Sequence, residues 1–433
     1  MPALRFLALI VLFAASLKQA GSARASGADL IIAGFDAHLE AHPGGESAFT
    51  FRRSDYQDDL TKLPIGVFDS GIGGLTVLEA ILTLDQFHND SLQPGPDGRP
   101  DFENERFVYL GDQANMPYGN YPKAGKTGFL RELILKDTVF LLGRRYRENA
   151  EVLQDKPPVK AIVIACNTAT AYGLDDVRQF LKRLQLPVPV VGVVEAGARG
   201  LLETGETGAI GVLATVGTCD SGVYPRTIQG TLGRAGRGVA TITQLGSADL
   251  AAVIEGDPTR GRSLPDQVTA DVRRLVESHR AALVGKEPRP LDRIVLGCTH
   301  FPLVLSQIDE AFANLRENPE LAPFIGEKRH YIDPADWTAR QLFRDLARAG
   351  LRRRNGSREA GERDLFFLSV ADPACPGIVL NPEGSLSDDY KYGRETGRFV
   401  EDTPVTSLTR TRLPESGRRL VSEKLPAVWA RIP

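Results

Sequence analysis

Two apolar segments of this 433-residue chain end in the same unusual way, and this repetition limits the folds that the chain can adopt. The first runs through "IVIA" at 162–165 into Cys166, and the second through "IVLG" at 294–297 into Cys298. A buried strand usually ends in turn residues or in a helix cap rather than in a thiol. The matching positions indicate that the two cysteines act together.

The pattern of strand, polar turn and helix around these segments also begins twice. "IGVFDSGIGGLTVLEAIL" at 65–82 has a counterpart in "GAIGVLATVGTCDSGVYPRTI" at 208–228, and a strand that ends in cysteine follows each of them. Strands that alternate with helices predict parallel sheets, which bind ligands at the carboxyl ends of their strands. The predicted fold class is therefore α/β, with two similar doubly wound lobes related by a pseudo-twofold axis and an active site in the cleft between them.

The composition gives no partner for the chain as a whole. A formal charge of −3 with six histidines predicts neither nucleic-acid nor membrane-surface binding. The four cysteines, at 166, 219, 298 and 375, show no CxxC spacing or Cys/His cluster, so no metal is predicted. Their number alone leaves catalysis and disulfide pairing both open.

The N-terminus differs from the rest of the sequence. Residues 1–25 are predicted to be a signal peptide, since one arginine precedes an apolar run at 6–15 and "ARA" at 23–25 resembles a cleavage site. A retained anchor or an ordinary N-terminal helix is the alternative. If the leader is cleaved, the protein is exported to the periplasm or outside the cell, and if it is not, the protein is cytoplasmic. No other membrane segment is predicted.

The cysteines carry the chemical hypothesis. At the N-terminus of a helix, backbone N–H groups and the helix dipole lower the pKa of a thiol. Asn167 and Thr168 follow one cysteine, and Thr299 and His300 the other, so that polar groups could hold a ligand between the thiols. Two thiols on opposite faces of one carbon atom could invert its configuration, because one removes a proton and the other returns one.

Two further segments contribute candidates. "FDSGIGG" places Asp69 and Ser70 at the end of the first strand, where they could assist a thiol or bind substrate, or simply cap a helix. Its glycine spacing is not the dinucleotide-binding fingerprint. "GDQANMPYG" at 111–119 offers Tyr118 and Gly119 to the pocket, although such a stretch is also a common turn. His300 could be the proton partner of Cys298 or a capping residue.

Six motifs in series resemble those of the glutamate racemases, in the aspartate/glutamate racemase family. They are "IGVFDSGIGGLTVL", "YLGDQANMPYG", "IVIACNTATA", "VVGVVEAGARG", "IGVLATVGT" and "IVLGCTHFPL", and the match covers residues from about 64 to 340. The resemblance implies a racemase without cofactor or metal that interconverts L- and D-glutamate. Its product would point toward bacterial peptidoglycan precursors, a cytoplasmic pathway that conflicts with the leader.

The resemblance also implies residue roles. Cys166 would act on the D-enantiomer and Cys298 on the L-enantiomer, with Asp69, His300 and, in "GSADLAAVIEGD", Glu255 assisting them. The amine and carboxylates of the amino acid would be bound by six residues: Ser70, Tyr118, Gly119, Asn167, Thr168 and Thr299. A small-molecule amino-acid substrate is the expected partner, and a homodimer is left open.

The resemblance implies that the first lobe is completed by chain after about residue 320. The predicted division is a polar N-terminal extension at 26–63, a first lobe at 64–200 and about 320–375, a second lobe at 201–319, and a C-terminal tail at 376–433. The insert at 88–104 and the tail are additional to the family pattern. The loop at 111–119 also departs from the family pattern, GDTARxPYG, because Gln113 and Asn115 stand where that pattern has Thr and Arg.

Alternatives to glutamate racemisation remain open at this stage. Aspartate or another amino acid could be the substrate of the same chemistry. A non-catalytic extracytoplasmic amino-acid binding protein could use the same cleft, and a structural protein held by disulfides would have no free thiol.

Overall fold

A computed structural model of the chain describes residues 27–43, 47–149, 152–205, 208–256, 261–353, 361–413 and 415–433. The predicted signal peptide at 1–25 lies outside these residues. Among the helices of the described ranges, none combines the length and the apolar character needed to cross a membrane.

Twelve strands are found in the described ranges, and they form three sheets. The strands are β1 (Ile65–Asp69), β2 (Phe107–Gly111), β3 (Arg145–Asn149), β4 (Val152–Asp155), β5 (Ala161–Ile164), β6 (Val190–Gly192), β7 (Ala209–Thr215), β8 (Thr241–Ser247), β9 (Leu291–Gly297), β10 (Ile325–Ile332), β11 (Leu365–Ser369) and β12 (Val405–Ser407).

The α-helices lie mostly between these strands, on the faces of the sheets. They are α1 (Gly27–Ala41), α2 (Leu75–Thr83), α3 (Thr127–Leu142), α4 (Asn167–Leu184), α5 (Val193–Glu203), α6 (Val216–Asp220), α7 (Val223–Arg234), α8 (Leu250–Glu255), α9 (Leu264–Ala282), α10 (Leu305–Arg316), α11 (Pro334–Ala349), α12 (Asp388–Gly393), α13 (Glu415–Lys424) and α14 (Pro426–Trp429).

The two large sheets repeat one topology. The first has the order β12-β11-β2-β1-β5-β6 and the second β10-β9-β7-β8, so the set β2-β1-β5-β6 corresponds strand for strand to β8-β7-β9-β10. Every pairing in these two sets is parallel. Among the described strands of the two large sheets, β12 alone pairs antiparallel, at the edge of the first sheet. The predicted α/β fold with two lobes is confirmed. Cys166 and Cys298 follow the equivalent strands β5 and β9.

The lobes exchange their last helices. Helix α5 leaves the first sheet and packs on α7 of the second lobe, while α11 leaves the second sheet and packs on α2 of the first lobe. The two helices also pack on each other, where Gly197 lies against Pro334 and Gly200 against Trp337. This reciprocal arrangement is what a twofold relation between the lobes produces, and it makes one buried core continuous across them.

The boundary predicted at about residue 320 differs from the structure. Strand β10 pairs with β9 in the second sheet, because it is the counterpart of β6 in the repeat. The chain returns to the first lobe only with α11, and it enters the first sheet with β11.

The N-terminal extension is also more than a polar linker. Ile31, Ile32 and Phe35 on α1 are buried, and Phe35 packs edge-on against Phe180 of α4. An apolar face on one side of this helix explains why it docks on the first lobe.

The C-terminal segment and the insert at 88–104 are built into the first lobe as well. Strand β12 extends the first sheet, and α14 packs on α2, where Glu79 accepts hydrogen bonds from the N–H groups of Ala427 and Val428. In the insert, Phe102 is buried and packs edge-on against Phe343 of α11. Neither segment is a free appendage.

Candidate active site

A cavity of about 390 Å³ lies where the carboxyl ends of the two parallel sheets face each other. Its wall includes all eleven site residues predicted from the sequence: Asp69, Ser70, Tyr118, Gly119, Cys166, Asn167, Thr168, Glu255, Cys298, Thr299 and His300. This location is the one expected for a ligand in parallel α/β sheets.

Cys166 lies between β5 and α4 and caps the helix. Its Sγ accepts a hydrogen bond from the Ala169 N–H at 3.3 Å and lies 3.8 Å from the Ser70 hydroxyl. Burial and the negative charge of Asp69 raise the pKa of this thiol. The sequence-based expectation of a lowered pKa was therefore wrong for Cys166, because desolvation and a nearby carboxylate outweigh the helix N-terminus.

Asp69 ends β1 and is almost fully buried beside Cys166. Its Oδ2 accepts a hydrogen bond from the Gly74 N–H at 2.6 Å, so it also fixes the turn that begins α2. Burial raises the pKa of this carboxyl, although the charge of His300 and backbone N–H groups act in the opposite direction. A buried carboxyl with a raised pKa, in a cleft and beside a thiol, is a candidate for proton transfer.

Cys298 has a different partner. His300 Nδ1 lies 3.7 Å from Cys298 Sγ, and His300 Nε2 lies 2.7 Å from Glu255 Oε1. Burial alone would lower the pKa of His300, but hydrogen bonds and charges from Cys298 and Glu255 outweigh it and raise the pKa well above its ordinary value. A protonated imidazole can donate one N–H to each partner.

The lobes approach closely at Gly73, in the turn after β1. A Cβ atom at this position would lie 2.3 Å from His300 Cε1 and 2.6 Å from Thr299 Oγ1. Nearby, Thr76 on α2 donates a hydrogen bond to the Thr299 carbonyl at 3.0 Å. Because residue 73 is glycine, the first lobe can contact His300, the histidine beside Cys298 in the second lobe.

Asn167 is held from across the cleft. Its Oδ1 accepts a hydrogen bond from the Tyr224 hydroxyl of α7 at 2.6 Å. This bond orients the side-chain amide that follows Cys166 and links the two lobes.

Three threonine hydroxyls form a second link. Thr168 Oγ1 lies 3.2 Å from Thr215 Oγ1 and 3.1 Å from Thr218 Oγ1, and the last two are 3.0 Å apart. Hydroxyls can both donate and accept, so this cluster suits a carboxylate at the helix N-termini of α4 and α6.

Tyr118 and Gly119 lie in a short 3₁₀-helix, Tyr118–Asn120. The Tyr118 hydroxyl is 2.5 Å from Asp112 Oδ2 and 2.7 Å from Asp137 Oδ2. Burial and the charge of Asp112 raise the pKa of Asp137 well above its usual range, so one proton can be shared in this buried group. The backbone of Gly119 lies against Gly217 of the second lobe, and a Cβ atom on Gly217 would lie 2.6 Å from the Gly119 carbonyl oxygen, so Gly217 has no room for a side chain.

Sequence analysis missed several wall residues. Thr215 ends β7, the counterpart of β1, and its place in the repeat could have identified it. Asp388, Lys391 and Tyr392 belong to α12 of the C-terminal segment, and no local sequence signal connects them to the cleft. Their position depends on how a distant segment packs.

All four cysteines are free thiols, which is contrary to the disulfide-held structural protein. Within the described ranges, no group of three or more His, Cys, Asp or Glu side chains could hold a metal ion. The cavity thus combines two buried thiols, a carboxyl beside one and a histidine–carboxylate pair beside the other. Such a set can remove and return protons on two sides of a bound molecule.

Comparisons with known proteins agree with this chemistry. A family described as Asp/Glu/hydantoin racemase matches residues 146–342. A glutamate racemase from Levilactobacillus brevis is 31% identical over 309 residues, which cover 71% of this chain and 87% of that protein. A glutamate racemase from Symbiobacterium thermophilum is 32% identical over 326 residues, which cover 74% of this chain and 93% of that protein.

Solved structures with a likeness to the chain carry similar names. A glutamate racemase isoform from Bacillus anthracis aligns with a TM-score of 0.49 and 25% identity, over 71% of this chain and 89% of that one. A glutamate racemase from Francisella tularensis, in complex with D-glutamate, aligns with a TM-score of 0.46 and 22% identity, over 72% of this chain and 89% of that one.

Proposed function

From the premise that this chain belongs to the aspartate/glutamate racemase family, and is an isomerase acting on amino acids, we propose that it interconverts L- and D-glutamate through two thiols. One observation carries the proposal: Cys166 and Cys298 follow equivalent strands of two matching sheets and line the same cavity. This placement suits inversion at Cα by two groups, one from each lobe, since a proton must leave one face and arrive at the other.

The proposed step in the L-to-D direction uses both sulfur atoms. The thiolate of Cys298 takes the proton from Cα of L-glutamate, and the electron pair of the C–H bond remains on the substrate as a carbanion. The thiol of Cys166 then donates its proton to the opposite face, which gives D-glutamate and a Cys166 thiolate. The reverse direction exchanges the roles of the two sulfur atoms.

The groups beside each thiol support these roles. The raised pKa of Cys166 keeps it protonated in the empty cleft, as a proton donor must be. A protonated His300, oriented by Glu255, directs an N–H toward Cys298 and so supports negative charge on that sulfur. Asp69, which has a raised pKa, can supply or accept a proton on the Cys166 side.

The substrate needs fixed donors because its α-proton is only weakly acidic. The threonine cluster and the N-terminus of α4 offer hydrogen bonds to an α-carboxylate, where charge develops as the proton leaves. Ser70 and Asp69 lie at the carboxyl end of β1, the strand that pairs with β5, and offer acceptors for the amine. Burial of both thiols and of Asp69 keeps this chemistry away from bulk water.

The test is exchange of the α-hydrogen in D₂O, followed by NMR, for both enantiomers of glutamate and of aspartate. We expect the wild type to exchange and invert glutamate. Cys298→Ser should exchange D-glutamate without inverting it, and Cys166→Ser should do the same with L-glutamate. Racemisation should fall about 10²- to 10⁴-fold in each variant, the range for loss of one acid/base.

Cys219→Ser is the matched control, because Cys219 is a free thiol outside the cavity wall. Its activity should equal that of the wild type. If folded, fully reduced protein exchanges none of the four amino acids, the proposal is wrong and binding without turnover takes its place. Exchange of aspartate alone would keep the two-thiol chemistry and replace the substrate.

A further inference from the structure

The C-terminal segment supplies part of the cavity wall. Helix α12 brings Asp388, Lys391 and Tyr392 to the cleft, opposite the second lobe and beside the loop at 116–120. The family resemblance in the sequence ends at about residue 340, so this segment adds residues to the cavity wall that the resemblance did not predict.

Several polar contacts hold α12 in place. Arg394, directly after the helix, is mostly buried, pairs with Asp402 at 3.0 Å, and donates hydrogen bonds to Asn115 Oδ1 and to the Tyr121 hydroxyl. Lys126 donates to the carbonyl of Arg394 at 3.1 Å. Helix α12 is thereby fixed against the loop that carries Tyr118 and Gly119.

Asn115 connects the C-terminal segment to the loop. Its Oδ1 accepts a hydrogen bond from the Arg394 guanidinium, so the residue that follows α12 is held directly by the loop at 111–119.

Charge in the cavity is unevenly distributed. The wall carries four carboxylates, those of Asp69, Asp249, Glu255 and Asp388, and its only lysine or arginine among the described residues is Lys391. The other basic residue, His300, is already engaged with Cys298 and Glu255. An anionic group of a ligand therefore has one ammonium available to it.

Lys391 has hydrogen-bonding capacity to spare. Its ammonium donates to the Met116 carbonyl at 2.8 Å, and among the described residues this is its one hydrogen bond. An ammonium carries three donors, so two remain for a ligand. The side chain is 8% exposed, which makes these unused donors costly unless something in the cavity accepts them.

We infer that Lys391 binds the side-chain carboxylate of an acidic amino acid whose Cα lies between the two thiols. The inference rests on the proposed racemisation and assigns the residue that recognises the acidic side chain of the substrate. A side-chain carboxylate accepts a charge-assisted hydrogen bond from this ammonium that an uncharged side chain cannot match, so the C-terminal segment acts as a determinant of specificity.

The test compares equilibrium binding of D-glutamate and D-glutamine by calorimetry. The two ligands differ only at the distal group, a carboxylate in one and an amide in the other. The wild type should prefer D-glutamate, and Lys391→Met should lose about 10- to 100-fold of that preference, the range for one hydrogen bond to a charged group. Lys391→Arg should keep most of it.

Lys424→Met is the matched control, since it removes an exposed ammonium on α13 of the same segment, outside the cavity wall. Its preference should equal that of the wild type. Asp388→Asn supplies a second measurement if Lys391→Met does not fold: loss of a nearby carboxylate should raise the preference for D-glutamate about 2- to 5-fold.

The outcomes separate this inference from the proposed function. If the wild type inverts glutamate but Lys391→Met keeps its preference for D-glutamate, the assignment of Lys391 is wrong and the racemase proposal stands. If Lys391→Met loses the preference and the wild type shows no α-hydrogen exchange, the carboxylate site stands and racemisation is wrong. A lowered preference in Asp388→Asn would also contradict the assignment.

Discussion

At the residue scale, His300 is the group whose protonation depends most directly on its neighbours. Burial acts to lower its pKa, and the hydrogen bonds and charges of Cys298 and Glu255 reverse that effect. The net result is a histidine that stays protonated to higher pH than an exposed one. Cys166 lies beside a carboxyl and Cys298 beside this cation, so the two halves of a symmetric reaction run in different electrostatic surroundings.

Glu255→Gln tests this dependence. The change removes a negative charge that raises the pKa of His300, so the imidazole should lose its proton at lower pH. We expect the alkaline fall in the rate of α-hydrogen exchange with L-glutamate to move to lower pH. At the alkaline end of the range the variant should lose about tenfold or more in rate, and less at the acidic end.

Glu277→Gln makes the same chemical change on the exposed face of α9 and should leave the pH profile as it is in the wild type. If the exchange rate of Glu255→Gln falls at the same alkaline pH as that of the wild type, Glu255 does not set the pKa of His300.

Ten of the predicted site residues could be chosen from the sequence because they stand directly after a strand or in a short motif with polar residues where a core would be apolar, whereas Glu255 was chosen by family resemblance alone. The pKa of Cys166 was predicted in the wrong direction, since a sequence shows the helix N-terminus but not the depth of burial or the closeness of Asp69. Lys391 was missed because 225 residues separate it from Cys166 and only tertiary packing joins them.

At the element scale, the turn between β1 and α2 controls how closely the lobes meet. Gly73→Ala would place a methyl group 2.3 Å from the His300 ring, and so either the turn or the histidine must move. A misplacement of about 1 Å can cost about 100-fold in rate. We expect kcat/KM to fall by about that factor, and the free energy of unfolding to fall by about 1–3 kcal/mol.

Gly233→Ala on α7 provides the comparison, because a Cβ there meets no atom within 4 Å. It should keep full activity and unfold at the same or a slightly higher temperature. Equal activity of Gly73→Ala and wild type would mean that the two lobes have more room at this contact than the structure shows.

Element boundaries were harder to predict than element types. The sequence at 127–149 has the apolar spacing of one long helix, but α3 ends at Leu142, and residues Arg145–Asn149 form a strand of a separate hairpin. The lobe to which β10 belongs was predicted wrongly for a different reason. Family resemblance placed the chain after about residue 320 in the first lobe, whereas the repeat requires β10 as a fourth strand of the second sheet.

At the scale of the whole molecule, the C-terminal segment is part of the core. Among its described residues, eight apolar ones are at most 5% exposed: Leu386, Val405, Leu408, Leu413, Val421, Leu425, Val428 and Ile432. Full burial of such a side chain stabilises a protein by about 1.5–3 kcal/mol. Together these are comparable with the total free energy of unfolding of a typical domain, about 5–15 kcal/mol.

A chain that ends at residue 375 should therefore lack a cooperative thermal transition at the wild-type temperature and should expose apolar surface to a dye such as ANS. Arg419→Ala, on the exposed side of α13, should change the free energy of unfolding by no more than about 0.5 kcal/mol. A truncated chain with wild-type stability would show that the first lobe folds without this segment.

The repeat was readable from the sequence because apolar runs and polar turns recur in the same order, and the order of strands in the two sheets matches it. The docking of the two terminal segments was not readable. Their apolar residues are spaced among glycines, prolines and charges, and the surfaces that they cover belong to helices far away in the chain.

The exchange of α5 and α11 between the lobes bears on how such a chain could have originated. A single ancestral unit with this topology would have left the outer face of its first helix uncovered, since its own last helix packs elsewhere. A second copy would have had to supply the missing helix. Gene duplication would then have joined two partners that were already obligatory, rather than two units that had each been stable alone.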